Sequence, residues 1–379
     1  MKAVVNGKII LPDRVVEGKA LLYDEKIRGI VNVSEIGDAE VFDAEGKYVA
    51  PGLIDMHIHG YLGEDASDGS EAGLLKMAEG ISKNGVTAWL PTTMTVSYEQ
   101  LRTAFELARR LMKKENNPKG AQILGVNAEG PFINAAKKGA QAEEHIKPAD
   151  AAFLKEYADV VRIFTVAPEV NDNLKVIREM ASDTDMKISI GHTAATCEQA
   201  MEAFDAGVSH ATHLFNAMTA MGHRDPGVVG AVLSCERVSA ELIADTFHIS
   251  PALYGLVERL KGDNLVLITD SVRAGGMPDG EYDLGGQTVY LRGIECRLAD
   301  GTIAGSVLRL NEAVRNFLRH TDLPVWKVVR MASLNPARRI GVSECKGALT
   351  VGHDADWILA DEEFNVYRTV IGGEVIWEA

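Results

Sequence analysis

The chain has 379 residues, 46% hydrophobic and 25% charged, which excludes a disordered, collagenous or coiled-coil protein. Asp plus Glu number 54 against 39 Lys plus Arg, and a net charge of −15 argues against nucleic acid and anionic membranes as partners. It leaves an anionic small-molecule substrate open, because local arginines and helix N-termini override the global field.

Residues 1–50 alternate apolar and polar positions, which predicts short strands at 3–5, 8–11, 20–23, 27–33 and 41–43. Turns at Gly7, Asp24-Glu25 and Glu45-Gly46 separate them. This is strand chemistry rather than the apolar core of a signal peptide, and no later run has the length of a membrane span. From 51 to 345 strand-like and helix-like segments alternate. Eight candidate strands lie at 53–59, 87–91, 123–129, 161–167, 187–192, 210–215, 240–244 and 265–269. Amphipathic stretches at 71–83, 98–114, 174–182, 195–206 and 251–260 separate several of them. Residues 346–379 return to strands, at 347–349, 356–360, 366–369 and 374–377.

This order predicts an α/β fold: a (β/α)8 TIM-like barrel over 51–345, with a small β-sandwich formed by both termini, 1–50 and 346–379. The rival, a doubly wound open sheet, often carries a Gly-rich phosphate turn, and neither GxGxxG nor GxxxxGK[ST] occurs here. Cys197, Cys235, Cys296 and Cys345 form no CxxC pair and read as free thiols of a reducing compartment, so a cytoplasmic protein is expected.

In a barrel the chemistry sits at the C-terminal ends of the strands. The first candidate strand ends with His57 and His59, two apart and therefore on one face, the pattern of a metal pair. The third ends in Glu129, a carboxylate after an apolar run, costly to bury unless paired or bound to a cation. The fifth ends at His192. The sixth carries His210 and His213, three apart and so on opposite faces of a regular strand. His213 is the ligand candidate and His210 reads as structural. The seventh is followed by Asp245 and His248, and the eighth ends at Asp270, a general base or a further ligand. Imidazole and carboxylate ligands suit Zn2+ first, with Fe2+ or another divalent ion as the alternative.

The first-strand run Pro51-Gly52-Leu53-Ile54-Asp55-Met56-His57-Ile58-His59-Gly60 resembles the signature of the amidohydrolase superfamily. Further blocks resemble the N-acetylglucosamine-6-phosphate deacetylase family within it, and they run in family order across almost the whole chain. They are Glu129-Gly130-Pro131-Phe132, Lys137-Lys138-Gly139-Ala140, Gly191-His192-Thr193, Thr212-His213-Leu214-Phe215-Asn216-Ala217-Met218, Arg224-Asp225-Pro226-Gly227, Asp245-Thr246-Phe247-His248, Thr269-Asp270 and Ala304-Gly305-Ser306.

The resemblance implies deacetylation of a small phosphorylated amino sugar, with Glu129, His192 and His213 as metal ligands. His57 and His59 form a possible second site, giving one or two ions per subunit. Asp270 matches the catalytic acid/base, and His248 matches the group that contacts substrate and stabilises the reacting carbonyl. Ala140, Asn216, Ala217, Arg224 and the loop Ile303, Ala304, Gly305 match substrate-binding positions. Arg224 is expected to reach the neighbouring active site of a homodimer. Gln141 departs from the substrate-binding His of some members; it can hydrogen-bond a hydroxyl but carries no charge. The fourth strand has no lysine to bridge two ions, which leaves Glu129 as the bridge. Three alternatives remain: the C4 epimer N-acetylgalactosamine 6-phosphate as substrate, another N-acyl or cyclic amide, and a non-enzymatic binding protein.

Overall fold

The computed structural model describes residues 1–117 and 119–379. Eight parallel strands follow one another round a barrel. They are Leu53–Ile58, Val86–Thr93, a third in two pieces (Gln122–Ile123 and Val126–Ala128), Val161–Val166, Lys187–Ile190, His210–Ala211, Ser239–Ile243 and Leu265–Ile268. Each crossover carries a helix, as parallel pairing requires. The strands are covered by helices outside and by packed side chains inside, so Leu265–Ile268 is buried throughout. The helices supply the matching stripe. Tyr98–Leu111 buries Leu101, Ala104, Phe105, Ala108 and Leu111 at three- and four-residue spacing, and Ser97 caps it in a capping box with Gln100. No helix among the described residues is long and apolar enough to cross a membrane.

The barrel is nearly closed. Between the eighth and first strands the join is made by Asp270 N–H donating to the His57 carbonyl at 2.8 Å and by the Thr269 hydroxyl donating to Asp55 Oδ2 at 2.6 Å. The seam therefore runs through two candidate site residues.

Both termini build two facing sheets. One has the order Ile27–Asn32, Lys19–Tyr23, Lys2–Val5, Glu40–Asp43. The other runs Glu374–Glu378, Val366–Ile371, Trp357–Ala360, Tyr48–Pro51, Lys8–Ile10, Val15–Val16. Val4, Leu21 and Ile27 of the first meet Ile9, Val49, Trp357 and Val370 of the second in a shared core. Trp357 is fully buried and stands edge-on to Tyr23 with ring centroids 5.6 Å apart. This is the sandwich the two strand-rich ends predict.

Four details differ from expectation. The sixth strand stops at Ala211 instead of 215, because His213, Phe215 and Ala217 take positive φ, which a strand cannot accommodate. The third is interrupted at Leu124-Gly125, where Gly125 has φ 145°. No strand forms at 347–349: residues 346–348 make a bend, with Gly347 at φ 82°. An antiparallel sheet of Gly280–Leu284, Gln287–Arg292 and Glu295–Leu298 is inserted after the eighth strand. Its Gln287 Nε2 donates to the Ala140 carbonyl at 2.6 Å, which brings the insert to the rim of the barrel mouth.

Candidate active site

His57, in the first strand, and His59, just past its end and before the short hairpin that begins at Gly60, lie on one face and converge. Their Nε2 atoms stand 3.2 Å apart. Glu129 follows the third strand directly. Its Oε1 lies 2.9 Å from His213 Nε2, 3.3 Å from His192 Nε2 and 3.4 Å from His57 Nε2, and its Oε2 lies 3.1 Å from His59 Nε2. His192, His213 and Asp270 each lie two residues past the end of the fifth, sixth and eighth strands, with φ of 46°, 28° and 50°. Left-handed backbone at a non-glycine residue costs about 1–3 kcal/mol, and here three such residues turn their side chains to one point.

The imidazole orientations are fixed from behind. His192 Nδ1 donates to the Lys137 carbonyl at 2.8 Å, His59 Nδ1 to the Thr92 carbonyl at 3.1 Å and His57 Nδ1 to Glu241 Oε2 at 2.8 Å. A carbonyl or carboxylate can only accept, so each Nδ1 carries the proton and each Nε2 lone pair faces inward. His213 Nδ1 is buried without a partner while its Nε2 also faces inward, 3.1 Å from His192 Nε2. Two nitrogens bound about 2.0–2.1 Å from a tetrahedral ion stand about 3.3 Å apart. Two ligand triads result, Glu129–His192–His213 and His57–His59–Glu129, all buried and sharing Glu129. The donor set fits a divalent cation in each.

The field agrees. Burial opposes charge on His57, yet Glu241, Glu129 and Asp270 outweigh it and hold its pKa well above the imidazole range; burial likewise opposes charge on His59, and Asp270 and Glu129 raise it to about 9. Burial likewise opposes ionisation of Glu129, but His192 and His57 hold it well below the carboxylate range. Asp270 is lowered as well, burial being overcome by His57 and His59. Asp55, by contrast, is pushed up to about 7 by burial. A site that holds protons this firmly favours positive charge, whether carried by protons or by a metal ion.

Above the cluster opens a cavity of about 350 Å3. His59, Asp270, His248, Asn216, Ala217, Ala140, Ile303 and Gly305 line it, with Leu284 of the inserted sheet. His248 Nδ1 lies 2.6 Å from Asp245 Oδ2, whose other oxygen accepts the backbone N–H of Phe247 and His248, so the ring is held with Nε2 free. Gly305 sits at φ 59°, and a Cβ there would come 2.3 Å from Val272 Cγ1 and 3.0 Å from the Asp270 carbonyl. Glycine is required for the loop to reach the end of the eighth strand.

Several expected residues sit differently. Gln141 lines the cavity but is buried, its Oε1 accepting from Thr95 N at 2.7 Å and its Nε2 donating to Glu129 Oε2 at 2.6 Å. Its amide is engaged with the ligand carboxylate rather than open to a sugar. Ala304 is fully buried between Ile303 and Gly305, donating its N–H to the Cys296 carbonyl at 2.9 Å. Arg224 is exposed on the turn before Gly227–Ser234 and is absent from the cavity lining of its own chain. His210 bonds Ser239 and Glu241 away from the cluster, the structural place expected for it. Asp245 and Lys137 stand in motifs of the sequence without a role of their own there, and Glu241 stands in none. Glu241 gave the same signal as Glu129, a carboxylate within an apolar strand.

The amidohydrolase family model matches residues 48–376. The chain is 38% identical over 361 residues to an N-acetylglucosamine-6-phosphate deacetylase of Lysinibacillus sphaericus, covering 93% of this chain and 92% of that one. It is 35% identical to an N-acetylgalactosamine-6-phosphate deacetylase of Escherichia coli O157:H7, covering 96% and 97%. Its fold is similar to the crystal structure of N-acetylglucosamine-6-phosphate deacetylase from Pasteurella multocida, with a TM-score of 0.93, 32% identity and 99% of each chain covered.

Proposed function

The chain belongs to the amidohydrolase family, and we propose that it hydrolyses the N-acetyl group of N-acetyl-D-glucosamine 6-phosphate to D-glucosamine 6-phosphate and acetate. The observation that carries this reading is the Glu129–His192–His213 triad standing beside Asp270 at the floor of a sugar-sized cavity. Zn2+ or Fe2+ bound between these ligands would make water nucleophilic near neutral pH and polarise the acetyl carbonyl.

The chain's own groups do the rest. Asp270, ionised and open to the cavity, takes a proton from the attacking water at its carboxylate. The water oxygen bonds to the acetyl carbon. His248, held by Asp245 through its Nδ1–H, turns Nε2 to the carbonyl oxygen, and in its imidazolium form the Nε2–H donates a hydrogen bond as charge develops there. The C–N bond then breaks, and Asp270 returns its proton to the sugar nitrogen. Glu129, relieved of free rotation by Gln141, keeps the ligand set in place. Asn216, Ala217, Ala140 and the Ile303–Gly305 loop surround the sugar ring.

The phosphate needs a cation. Lys137 adds one to the lining, its Nζ 3.4 Å from the Met218 carbonyl. Arg224, exposed in its own chain, is the second, contributed across a homodimer into the neighbouring site. A guanidinium there would bind phosphate bidentately. The four cysteines are free, which suits a cytoplasmic reaction. The reaction is carried by 51–345, while 1–50 and 346–379 close the sandwich.

The 35% identity to a galactosamine-series deacetylase favours N-acetylgalactosamine 6-phosphate as the second reading. Acetate release from each epimer by wild type and Asp270→Asn, with metal counted on the same samples, tests both. Turnover of the gluco epimer by wild type alone is expected. A metal-loaded wild type that releases acetate from neither epimer overturns the assignment.

A further inference from the structure

Glu241 lies in the middle of the seventh barrel strand, Ser239–Ile243, and is wholly buried. It does not line the cavity and belongs to neither ligand triad. Its carboxylate nevertheless gathers three donors. Oε2 accepts from His57 Nδ1 at 2.8 Å and from the His213 backbone N–H at 3.0 Å, and Oε1 accepts from His210 Nε2 at 3.1 Å. Its backbone carbonyl accepts Leu214 N–H at 2.9 Å. One residue thus holds the side chain of a ligand in one triad and the main chain of a ligand in the other.

We propose that Glu241 is a positioning residue that sets both candidate metal triads at once, by fixing the tautomer of His57 and the left-handed turn at His213. The argument is geometric. A buried carboxylate is costly unless its lone pairs are filled, and three donors fill them here. The His57 bond leaves the Nε2 lone pair facing Glu129 and His59, and a carboxylate behind an imidazole strengthens it as a ligand. The sixth strand ends after Ala211, and His213 must then adopt φ 28°. The two bonds from Glu241 to His213 N and Leu214 N are what hold that turn against its strain. His210 completes the arrangement from below, its Nδ1 on the Ser239 hydroxyl.

This role rests on the metal-dependent reading above, and metal affinity tests it apart from turnover. Wild type, Glu241→Gln and Glu241→Asp are titrated with Zn2+ against a chromophoric chelator, and each is melted with and without Zn2+. Glu241→Gln keeps the shape but puts an amide N–H2 against donors. It is expected to bind Zn2+ roughly 10- to 100-fold more weakly. Its kcat should fall and recover partly in excess Zn2+, with KM unchanged because Glu241 does not reach the substrate. Glu241→Asp keeps the charge but shortens the reach by about 1.5 Å, so it too should weaken Zn2+ binding, and it serves if the Gln variant fails to fold. A folded variant with wild-type Zn2+ affinity overturns the proposal. So does a lower melting temperature with an unmoved chelator midpoint, the mark of a merely structural carboxylate. Should wild type bind Zn2+ but release no acetate, the substrate reading fails while the affinity result for Glu241 still stands.

Discussion

The Nε2 atoms of His192 and His213 stand 3.1 Å apart, and the His192 ring is already committed as a donor, through Nδ1, to the Lys137 carbonyl. Two lone-pair nitrogens that close repel unless a proton or a cation lies between them. Metal removal should therefore be felt throughout the barrel. An ion present at about 100 times its Kd stabilises the fold by about 2.7 kcal/mol, which for a chain of this size is about 3 °C in Tm. Thermal scans with chelator and after Zn2+ is added back measure it, and an unchanged Tm would leave the triads without an ion.

Asp270→Asn removes the proton acceptor while preserving shape. It should retain metal, leave KM within a few-fold and lower kcat by about 10^2- to 10^4-fold. Single-turnover acetate release separates this from slow product release. A variant with near wild-type kcat would move the acid/base role elsewhere.

Gln141 donates to Glu129 and accepts from Thr95 N, so it acts on the ligand carboxylate first. Gln141→Ala should lower kcat more than it raises KM. The reverse split would return Gln141 to sugar recognition.

The pH dependence of stability should differ between metal-free and loaded protein. In the metal-free site His57 is raised well above the imidazole range, and His59 to about 9, because the surrounding carboxylates outweigh burial. A group raised on folding contributes stability that is full below its unfolded value, about 6.5 for His, and is lost as pH climbs through the folded value. Asp55, raised to about 7 by burial, acts in the same direction from its unfolded value of about 3.9 upward. The metal-free Tm should fall between about pH 6.5 and 9. Bound Zn2+ replaces those protons, so the loaded curve should be flatter. Parallel curves would refute the protonated reading of the empty cluster.

Arg224→Ala should raise KM for the phosphorylated sugar by roughly 10- to 150-fold, the value of a charged hydrogen bond of about 1.5–3 kcal/mol. Activity on unphosphorylated N-acetylglucosamine should barely change. Mixing Arg224→Ala with Asp270→Asn subunits should restore part of the activity if the arginine crosses the dimer, and none if it acts within its own chain.

The strand-end histidines were legible because polar residues after apolar runs stand out, and the alternation of strands and helices placed them at one mouth. What the chain could not display is partnership at a distance. Gln141 reads as a substrate contact until Thr95 N and Glu129 are seen to occupy both ends of its amide. Leu214 and Phe215 read as strand because they are apolar, whereas positive φ at His213 and Phe215 ends the strand earlier. The inserted sheet carried its own hairpin signal at Gly285-Gly286, hidden among the polar residues on either side. Glu241 carries the same signal as Glu129, a carboxylate in an apolar run, but it sits mid-strand, where the sequence pattern points to no mouth of the barrel.

The pairing of Tyr48–Pro51 with Trp357–Ala360 has a consequence for the order in which the molecule can be made. About 300 residues separate the two strands, roughly 15–60 s of synthesis at 5–20 residues per second. The barrel can grow from βα units that are neighbours in the chain. Ile9 and Val49, however, emerge early and have no Trp357 to pack against until the far end arrives. The open edge of that early sheet must be shielded meanwhile, since an unpaired strand is a template for association. A chain that stops before residue 357 would also lack Ile358, Ala360 and Phe364, which pack into the barrel's own core. The sheet that receives the first strands of the chain is thus completed by its last ones, and its closure waits for the end of synthesis.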